Sequence, residues 1–124
     1  MQSKRCARWE RYYDELLPWA LKSEVRLPTV PDHCTQPYHL FYLILPSLEI
    51  RQRLIEHLKI RGIMGVFHYL PLHLSPMGRS FGGRPGACPV TEDVSDRLLR
   101  LPLYWDLSPQ DQERIVTAIR EFRW

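Results

Sequence analysis

The chain has 124 residues, which is the length of one ordinary domain and leaves no room for a second. Hydrophobic residues make up 44% and charged residues 25%, a balance that is typical of soluble globular domains and excludes a disordered tail. The formal net charge of +3 is too small to indicate nucleic-acid binding. No window holds the roughly 20 apolar residues of a membrane helix, and the N-terminus lacks the apolar core of a secretory signal. We therefore expect a soluble, cytoplasmic protein that binds neither nucleic acid nor membrane.

The first predicted element is an amphipathic helix, because apolar residues from Trp9 to Ala20 recur at helical spacing. Pro18 predicts that this helix is kinked or ends near Leu17. We expect its aromatic residues to pack in the core rather than to form a platform for a ligand.

The strongest strand signal covers residues 38–45, which are aromatic and branched and lie between two prolines. Ser47 is the predicted N-cap of a helix over residues 48–61, whose exposed side includes Arg51. Residues 63–67 predict a second strand. This order indicates a βαβ-like unit, although the length of the connection does not fix how its strands pair.

The stretch 70–90 is rich in proline and glycine, which predicts a long irregular loop that is functional or mobile. A short helix is predicted from Thr91 through Leu99, followed by an extended link, and Arg100 is interpreted as part of a solvated helix face. Ser108 is the predicted N-cap of the final helix, with proline at the first helical position and an acid three residues after the cap. The whole chain is therefore predicted to be one α+β domain in which helices cover a small sheet.

The most suggestive cluster for function is His68, Tyr69 and His73, which follow the end of a predicted strand. Two interpretations stay open: the histidines are structural, or they form hydrogen bonds with a polar ligand. No metal site is predicted, because no third ligand lies nearby in the sequence. Three widely spaced cysteines fit neither a disulfide framework nor a zinc site and are expected to be reduced: Cys6, Cys34 and Cys88.

Residues 78–84 form a second candidate, in which Arg79 and Arg84 could hold an anion while glycines allow the backbone to approach it. The alternative is a flexible surface loop with two solvated arginines. The segment lacks the Gly-Lys-Ser/Thr sequence of a phosphate-binding P-loop. The chain also contains no motif that is typical of a nucleophilic enzyme.

Several motifs, taken together and in this order, resemble one known family. They are residues 11–17 (RYYDELL), 26–31 (RLPTVP), 38–45 (YHLFYLIL), 62–78 (GIMGVFHYLPLHLSPMG), 95–104 (SDRLLRLPLY) and 107–112 (LSPQDQ). The series resembles the C-terminal domain of PLP-dependent sugar-nucleotide aminotransferases of the DegT/StrS type, across essentially the whole chain. Within that family the sequences of these motifs most resemble those of the dTDP-4-amino-4,6-dideoxygalactose transaminases.

The resemblance implies that residues 1–124 are the single small domain of a fold type I (aspartate aminotransferase-like) enzyme, with the large PLP-binding domain outside them. The full-length family works as a homodimer and moves an amino group from glutamate to the 4-keto carbon of a dTDP-linked 6-deoxyhexose through pyridoxal 5'-phosphate. The family's Schiff-base lysine belongs to the large domain, and no lysine of this chain matches its motif. We therefore expect no PLP binding and no catalysis from this chain alone, although its family is one of enzymes.

The family's His-Tyr-x-Pro-Leu-His segment lies near the active-site cleft. By this resemblance, His68, Tyr69 and His73 are the expected substrate-binding residues, in contact with the sugar nucleotide or shaping the wall around it, and Arg79 is a further candidate. An alternative function is a non-catalytic module that binds a partner protein or a nucleotide sugar. This alternative is motivated by the complete cap at Ser108 and by a core that the chain could form alone.

Overall fold

The computed structural model describes residues 2–124. The helices are α1 (Gln2–Lys22), α2 (Leu48–Ile60), α3 (Pro76–Ser80), α4 (Pro89–Arg97) and α5 (Pro109–Glu121), and a 3-10 turn covers Leu72–Leu74. The strands are β1 (Phe41–Ile44), β2 (Val66–Phe67) and β3 (Leu98–Leu101). Among the described helices, none is both long and apolar enough to cross a membrane.

The three strands form one antiparallel sheet in the order β1-β3-β2. The last strand in the sequence is therefore the central one, and its Arg100 lies opposite Tyr42 of β1 and Val66 of β2. The predicted strand, helix and strand are present as β1, α2 and β2, but β3 lies between the two strands. This small sheet with its covering helices confirms the predicted α+β class.

Strand β3 corrects the prediction for the residues that follow α4. The helix does not continue through Leu99, because α4 ends at Arg97 and Leu98 is already extended, with φ −80° and ψ 129°. The carbonyl of Arg97 accepts a hydrogen bond from the backbone N–H of Leu45 at 3.0 Å, which starts the pairing with the β1 side of the sheet. Pairing on both sides satisfies the backbone groups of this strand, an advantage that no local pattern reveals. Arg100 is consequently a strand residue and not part of a helix face.

The stretch 70–90 is more ordered than its composition predicts. It contains the 3-10 turn and α3, and α4 begins at Pro89 rather than at Thr91. Ser75 caps α3, since its Oγ accepts a hydrogen bond from the backbone N–H of Gly78 at 3.0 Å. The prediction of an irregular loop is therefore wrong for residues 72–80.

Helices α1, α2 and α5 bury one face of the sheet. Phe41, Leu43 and Leu99 are fully buried on that face. Trp9 and Tyr12 of α1 pack on Phe41, with ring centroids 5.3 and 5.2 Å apart. The aromatic residues of the first helix therefore belong to the core, as predicted.

Helix α1 continues past Pro18 to Lys22, so of the two predicted outcomes, a kink or an end near Leu17, the end is wrong. Pro18 is exposed to solvent, whereas Trp19 and Ala20 in the same turn are buried in the core. Burial of this last turn outweighs the one backbone hydrogen bond that a proline cannot donate.

Both predicted serine caps are confirmed. Ser47 Oγ accepts a hydrogen bond from the backbone N–H of Ile50 at 3.2 Å, and Ser108 Oγ accepts one from Asp111 at 3.0 Å. Gly62 follows α2 with a φ of +71°, a backbone conformation that favours glycine. Local sequence chemistry is therefore enough to place the start of α2 and the start of α5.

Arg51 of α2 is only 6% exposed, so the prediction that it lies on the solvent side is wrong. Its Nη1 donates a hydrogen bond to the carbonyl of Ser95 at 3.1 Å, and its guanidinium lies 5.3 Å from the ring centroid of Phe67. Helix α4 covers this side of α2. Because α4 is far away in the sequence, the helical pattern of α2 alone could not predict the contact.

Candidate functional site

The face of the sheet opposite the core carries a different set of side chains. Because side chains alternate along a strand, Arg100 points away from the buried Leu99 and Leu101. Its strand partners Tyr42 and Val66 lie on the same side, and all three residues are half-buried. We call this surface the outer face.

A cavity of about 390 Å³ opens on the outer face. Its polar members are Arg100, His39 and Tyr104, and its lining contains no carboxylate. Most of its wall is apolar, which is typical of small-molecule sites in which a few polar groups orient a ligand. The lining residues of this outer-face cavity are His39, Leu40, Met64, Val66, Arg100, Leu101, Pro102, Leu103 and Tyr104.

His68 follows β2 and lies close to Arg100 and His39 of the outer-face cavity. Burial lowers the pKa of the His68 imidazole, and the charges of Arg100 and His39 lower this pKa further. The imidazole is therefore largely neutral at pH 7 and can donate one hydrogen bond and accept another. His68 also lines a second cavity of about 380 Å³ together with Tyr69, whose side chain is 67% exposed. We call this second space the Tyr69 cavity.

His73 pairs with Glu92 of α4, and its Nε2 lies 2.8 Å from Glu92 Oε1. The same carboxylate accepts hydrogen bonds from the backbone N–H groups of Gly86 at 2.9 Å and Cys88 at 3.3 Å. The hydrogen bond from His73, followed by that from Gly86, lowers the pKa of Glu92 below its ordinary value. This arrangement, which we call the carboxylate clamp, ties the 3-10 turn and the bend before α4 to α4 itself.

Arg79 is also engaged inside this segment, since its Nε donates a hydrogen bond to the carbonyl of Leu74 at 3.0 Å. The nearby glycines approach the chain's own backbone. A Cβ added at Gly78 would lie 2.1 Å from the carbonyl oxygen of Leu72, and one added at Gly83 would lie 2.0 Å from that of His73. The glycines therefore make residues 72–83 compact, while the guanidinium of Arg79 stays exposed at its surface.

The four residues predicted to bind substrate fall into two groups. His68 and Tyr69 line the Tyr69 cavity, whereas His73 and Arg79 hold the segment beside it together. Their contact with a sugar nucleotide stays a prediction. Sequence reasoning missed Arg100, and the signal that could have found it is an arginine between two leucines at strand spacing.

The lysines lie away from both cavities. Lys4 Nζ is 4.7 Å from the ring centroid of Trp105, and Lys59 Nζ is 3.9 Å from Glu56 Oε2 on the exposed side of α2. Lys22 is exposed at the end of α1. The part of the chain that the structure describes therefore does not fit a lysine-bound cofactor at the outer face.

The cysteines and histidines do not assemble a metal centre in residues 2–124, where no three His, Cys, Asp or Glu side chains converge as ligands. Cys6 is half-buried, Cys34 and Cys88 are exposed, and all three carry free thiols.

The chain is similar in sequence to two enzymes named for dTDP-sugars. It is 35% identical over 96 residues to the dTDP-3-amino-3,4,6-trideoxy-alpha-D-glucose transaminase of Streptomyces venezuelae, over 76% of this chain and 24% of that protein. It is 35% identical over 97 residues to the dTDP-4-dehydro-2,3,6-trideoxy-D-glucose 4-aminotransferase of Saccharopolyspora spinosa, over 77% of this chain and 23% of that protein. The chain therefore spans about a quarter of the length of these relatives.

The fold is similar to that of S. venezuelae DesV, whose structure was solved in complex with a ketimine intermediate. The TM-score is 0.86 at 30% sequence identity, and the match covers 97% of this chain and 31% of that chain. The model of the DegT/DnrJ/EryC1/StrS aminotransferase family matches residues 1–120. The chain therefore belongs to the DegT/DnrJ/EryC1/StrS aminotransferase family.

Proposed function

We propose that residues 1–124 act as the small, C-terminal domain of a PLP-dependent sugar-nucleotide aminotransferase. The observation that carries this proposal is a structural match over 97% of this chain that covers only 31% of the matched chain. The PLP-binding domain would then lie in the larger share of the enzyme, outside these residues. The proposal includes a homodimer, which is the assembly that the family resemblance implies.

The proposed reaction moves the amino group of glutamate to the 4-keto carbon of a dTDP-linked 6-deoxyhexose and gives dTDP-4-amino-4,6-dideoxygalactose. Support for the dTDP group comes from the names of both relatives. Those names differ in the carbon that carries nitrogen, which is C3 in one and C4 in the other. The choice of C4 and of the galactose configuration therefore rests on the sequence similarity of the motifs, above all residues 62–78.

His68 and Tyr69 are the side chains that we propose to contact the sugar nucleotide. A neutral His68 imidazole can both donate to and accept from sugar hydroxyl groups, and the exposed ring of Tyr69 offers a flat surface for the sugar. His73 and Arg79 would shape the same wall, because their hydrogen bonds hold residues 72–92 beside it. Rigid support of this kind keeps a binding wall in a productive position.

Bound PLP supplies the electron sink that amino-group transfer requires. The lysines described above do not fit its attachment, because Lys4, Lys22 and Lys59 lie away from both cavities. We therefore propose that the large domain holds PLP and that the 124-residue chain has no transaminase activity alone.

A chimera tests this proposal. The matching C-terminal quarter of the S. spinosa 4-aminotransferase is replaced by residues 2–124, and the product is assayed with glutamate and a dTDP-4-keto-6-deoxyhexose. We expect turnover, and we expect His68→Ala to lower kcat/KM by about tenfold, the effect of one lost hydrogen bond to substrate. The exposed His33 provides the matched control, since His33→Ala should leave kcat/KM unchanged.

Two results would contradict the proposal. A chimera that folds and binds PLP but does not transaminate any dTDP-keto sugar would exclude the small-domain role. Turnover by the isolated chain, with PLP that borohydride fixes to one of its lysines, would show that the chain is catalytic without a large domain.

A non-catalytic module is the second candidate, and the observation that favours it is the chain's own core. Tyr12, Phe41, Leu99 and Ile119 from four different elements are all fully buried within the 124 residues. Sedimentation and calorimetry of the isolated chain with dTDP distinguish the two functions. Binding of dTDP together with an inactive chimera would favour the module, whereas a monomer that binds neither dTDP nor a transaminase large domain would exclude it.

A further inference from the structure

Arg100 occupies the centre of the sheet without an opposing charge. It lies on the middle strand between Tyr42 and Val66, half-buried on the outer face. Within residues 2–124, its guanidinium takes part in none of the ion pairs and none of the side-chain hydrogen bonds. None of its nitrogens is among the buried polar atoms of these residues that lack a partner, so its donors face solvent and are available to an anion.

The surroundings of Arg100 add no negative charge. His39 lines the same cavity, and His68 is close enough for the charges of Arg100 and His39 to disfavour its protonation. The lining of the outer-face cavity contains no Asp or Glu. The described acids that form ion pairs do so elsewhere, as Glu92 does in the carboxylate clamp and Glu113 does with Arg11.

The cavity itself has the shape and chemistry of a small-ligand site. Its volume of about 390 Å³ lies within the range of ligand pockets, and apolar side chains form most of its wall. Apolar walls reduce the local dielectric, so the attraction between a guanidinium and an anion is stronger there than at an open surface. Tyr104, whose side chain is 48% exposed, adds a phenol that can donate to the same anion.

We propose that Arg100 binds an oxyanion, a carboxylate or a phosphate, of a small ligand in the outer-face cavity, with His39 and Tyr104 beside it. The planar guanidinium presents paired N–H donors that match both kinds of oxyanion. The inference deepens the proposed function and rests on it for the source of the anion, which is the carboxylate of the amino donor or the diphosphate of the nucleotide sugar. The binding itself is a property of residues in this chain.

Titration of the ¹⁵N-labelled chain, followed through the Nε–Hε resonance of Arg100, tests the proposal. The probes are glutamate, inorganic phosphate and dTDP at constant ionic strength, so that general salt screening does not change. We expect saturable shifts with at least one probe. Saturation by glutamate identifies a carboxylate site, whereas saturation by phosphate or by dTDP identifies a phosphate site.

Two variants and a control show whether Arg100 is responsible. Arg100→Met should weaken binding by at least about tenfold, and Arg100→Lys should weaken it less, because lysine keeps the charge but loses the paired donors. Arg53 is exposed on α2, away from the outer face, and Arg53→Met should bind like the wild type. If Arg100→Met does not fold, the binding by Arg100→Lys and the shift of the wild-type Arg100 Nε–Hε resonance on titration decide the proposal.

The proposal is overturned if no probe saturates, or if folded Arg100→Met binds as the wild type does. Its failure is distinguishable from failure of the proposed function. If the chimera is inactive but anion binding is intact, the proposed function fails and the Arg100 site stands. If the chimera is active but its Arg100→Met variant keeps the KM values for glutamate and the dTDP-sugar, the Arg100 site fails and the proposed function stands.

Discussion

The two faces of the small sheet are built from the same three strands but have different chemistry. On the covered face, Leu43 and Leu99 are fully buried beneath helices. On the outer face, Tyr42, Val66 and Arg100 stay half-buried around a cavity. Because neighbouring residues of one strand point to opposite sides, the packing role of Leu99 is separate from the binding role that we propose for Arg100. The comparison indicates that changes on one face should leave the role of the other intact.

The largest expected effect comes from the covered face. Leu99→Ala removes a fully buried side chain from the central strand and should lower the free energy of unfolding by about 2–5 kcal/mol. Leu98 is its matched control, since it neighbours Leu99 in β3 but is only half-buried. Urea denaturation checks both variants, and an equal loss from Leu98→Ala would break the distinction between the two faces.

A smaller, pH-dependent effect is expected from the carboxylate clamp. The folded pKa of Glu92 is depressed, so its stabilising contribution is present above the unfolded pKa of about 4.3 and is lost as pH falls through the lower folded value. Glu92→Gln should therefore have a lower urea midpoint than the wild type at pH 7, and the difference should shrink in acid. The exposed Glu10 provides the control variant Glu10→Gln. A difference that stays constant from pH 7 to acid would contradict the role of the Glu92 charge.

The smallest effect on stability is expected from the outer face. Arg100→Met removes a charge that has no partner in the described residues and should change the free energy of unfolding by no more than about 1 kcal/mol. Thermal and urea denaturation measure this change. A loss as large as that of Leu99→Ala would show that Arg100 holds the fold together and would weaken the contrast between the faces.

Sequence reasoning succeeded where the physical cause is local. Ser47 and Ser108 cap the first turn of their own helices, so a few neighbouring residues contain the whole signal. It failed where the cause is a distant segment. Arg51 is buried because α4 covers it, and the helix expected through Leu99 ends at Arg97 because β1 and β2 pair with the strand that follows.

The same limit applies to the candidate site. His68 and Tyr69 could be selected from the sequence because they follow a predicted strand, the place where binding residues often occur. Arg100 could not be selected from the sequence, because its proposed role depends on its place in the central strand. Its wrong assignment to a helix face concealed the alternation of side chains along β3. Glu92 was also missed, since the His73 that it pairs with lies 19 residues away.

The central claim is that the outer face is the binding surface. Its most direct test is to identify which residues' amide resonances shift when a ligand is added. In ¹⁵N spectra of the chain titrated in turn with glutamate, inorganic phosphate and dTDP, we predict that at least one of them gives saturable amide shifts at residues 66–69 and around Arg100 and Tyr104. No shifts are predicted at Val116 and Ile119 of α5, which lie in the helical layer of the core. Shifts confined to the helical layer, or no saturable shifts at all, would contradict the claim.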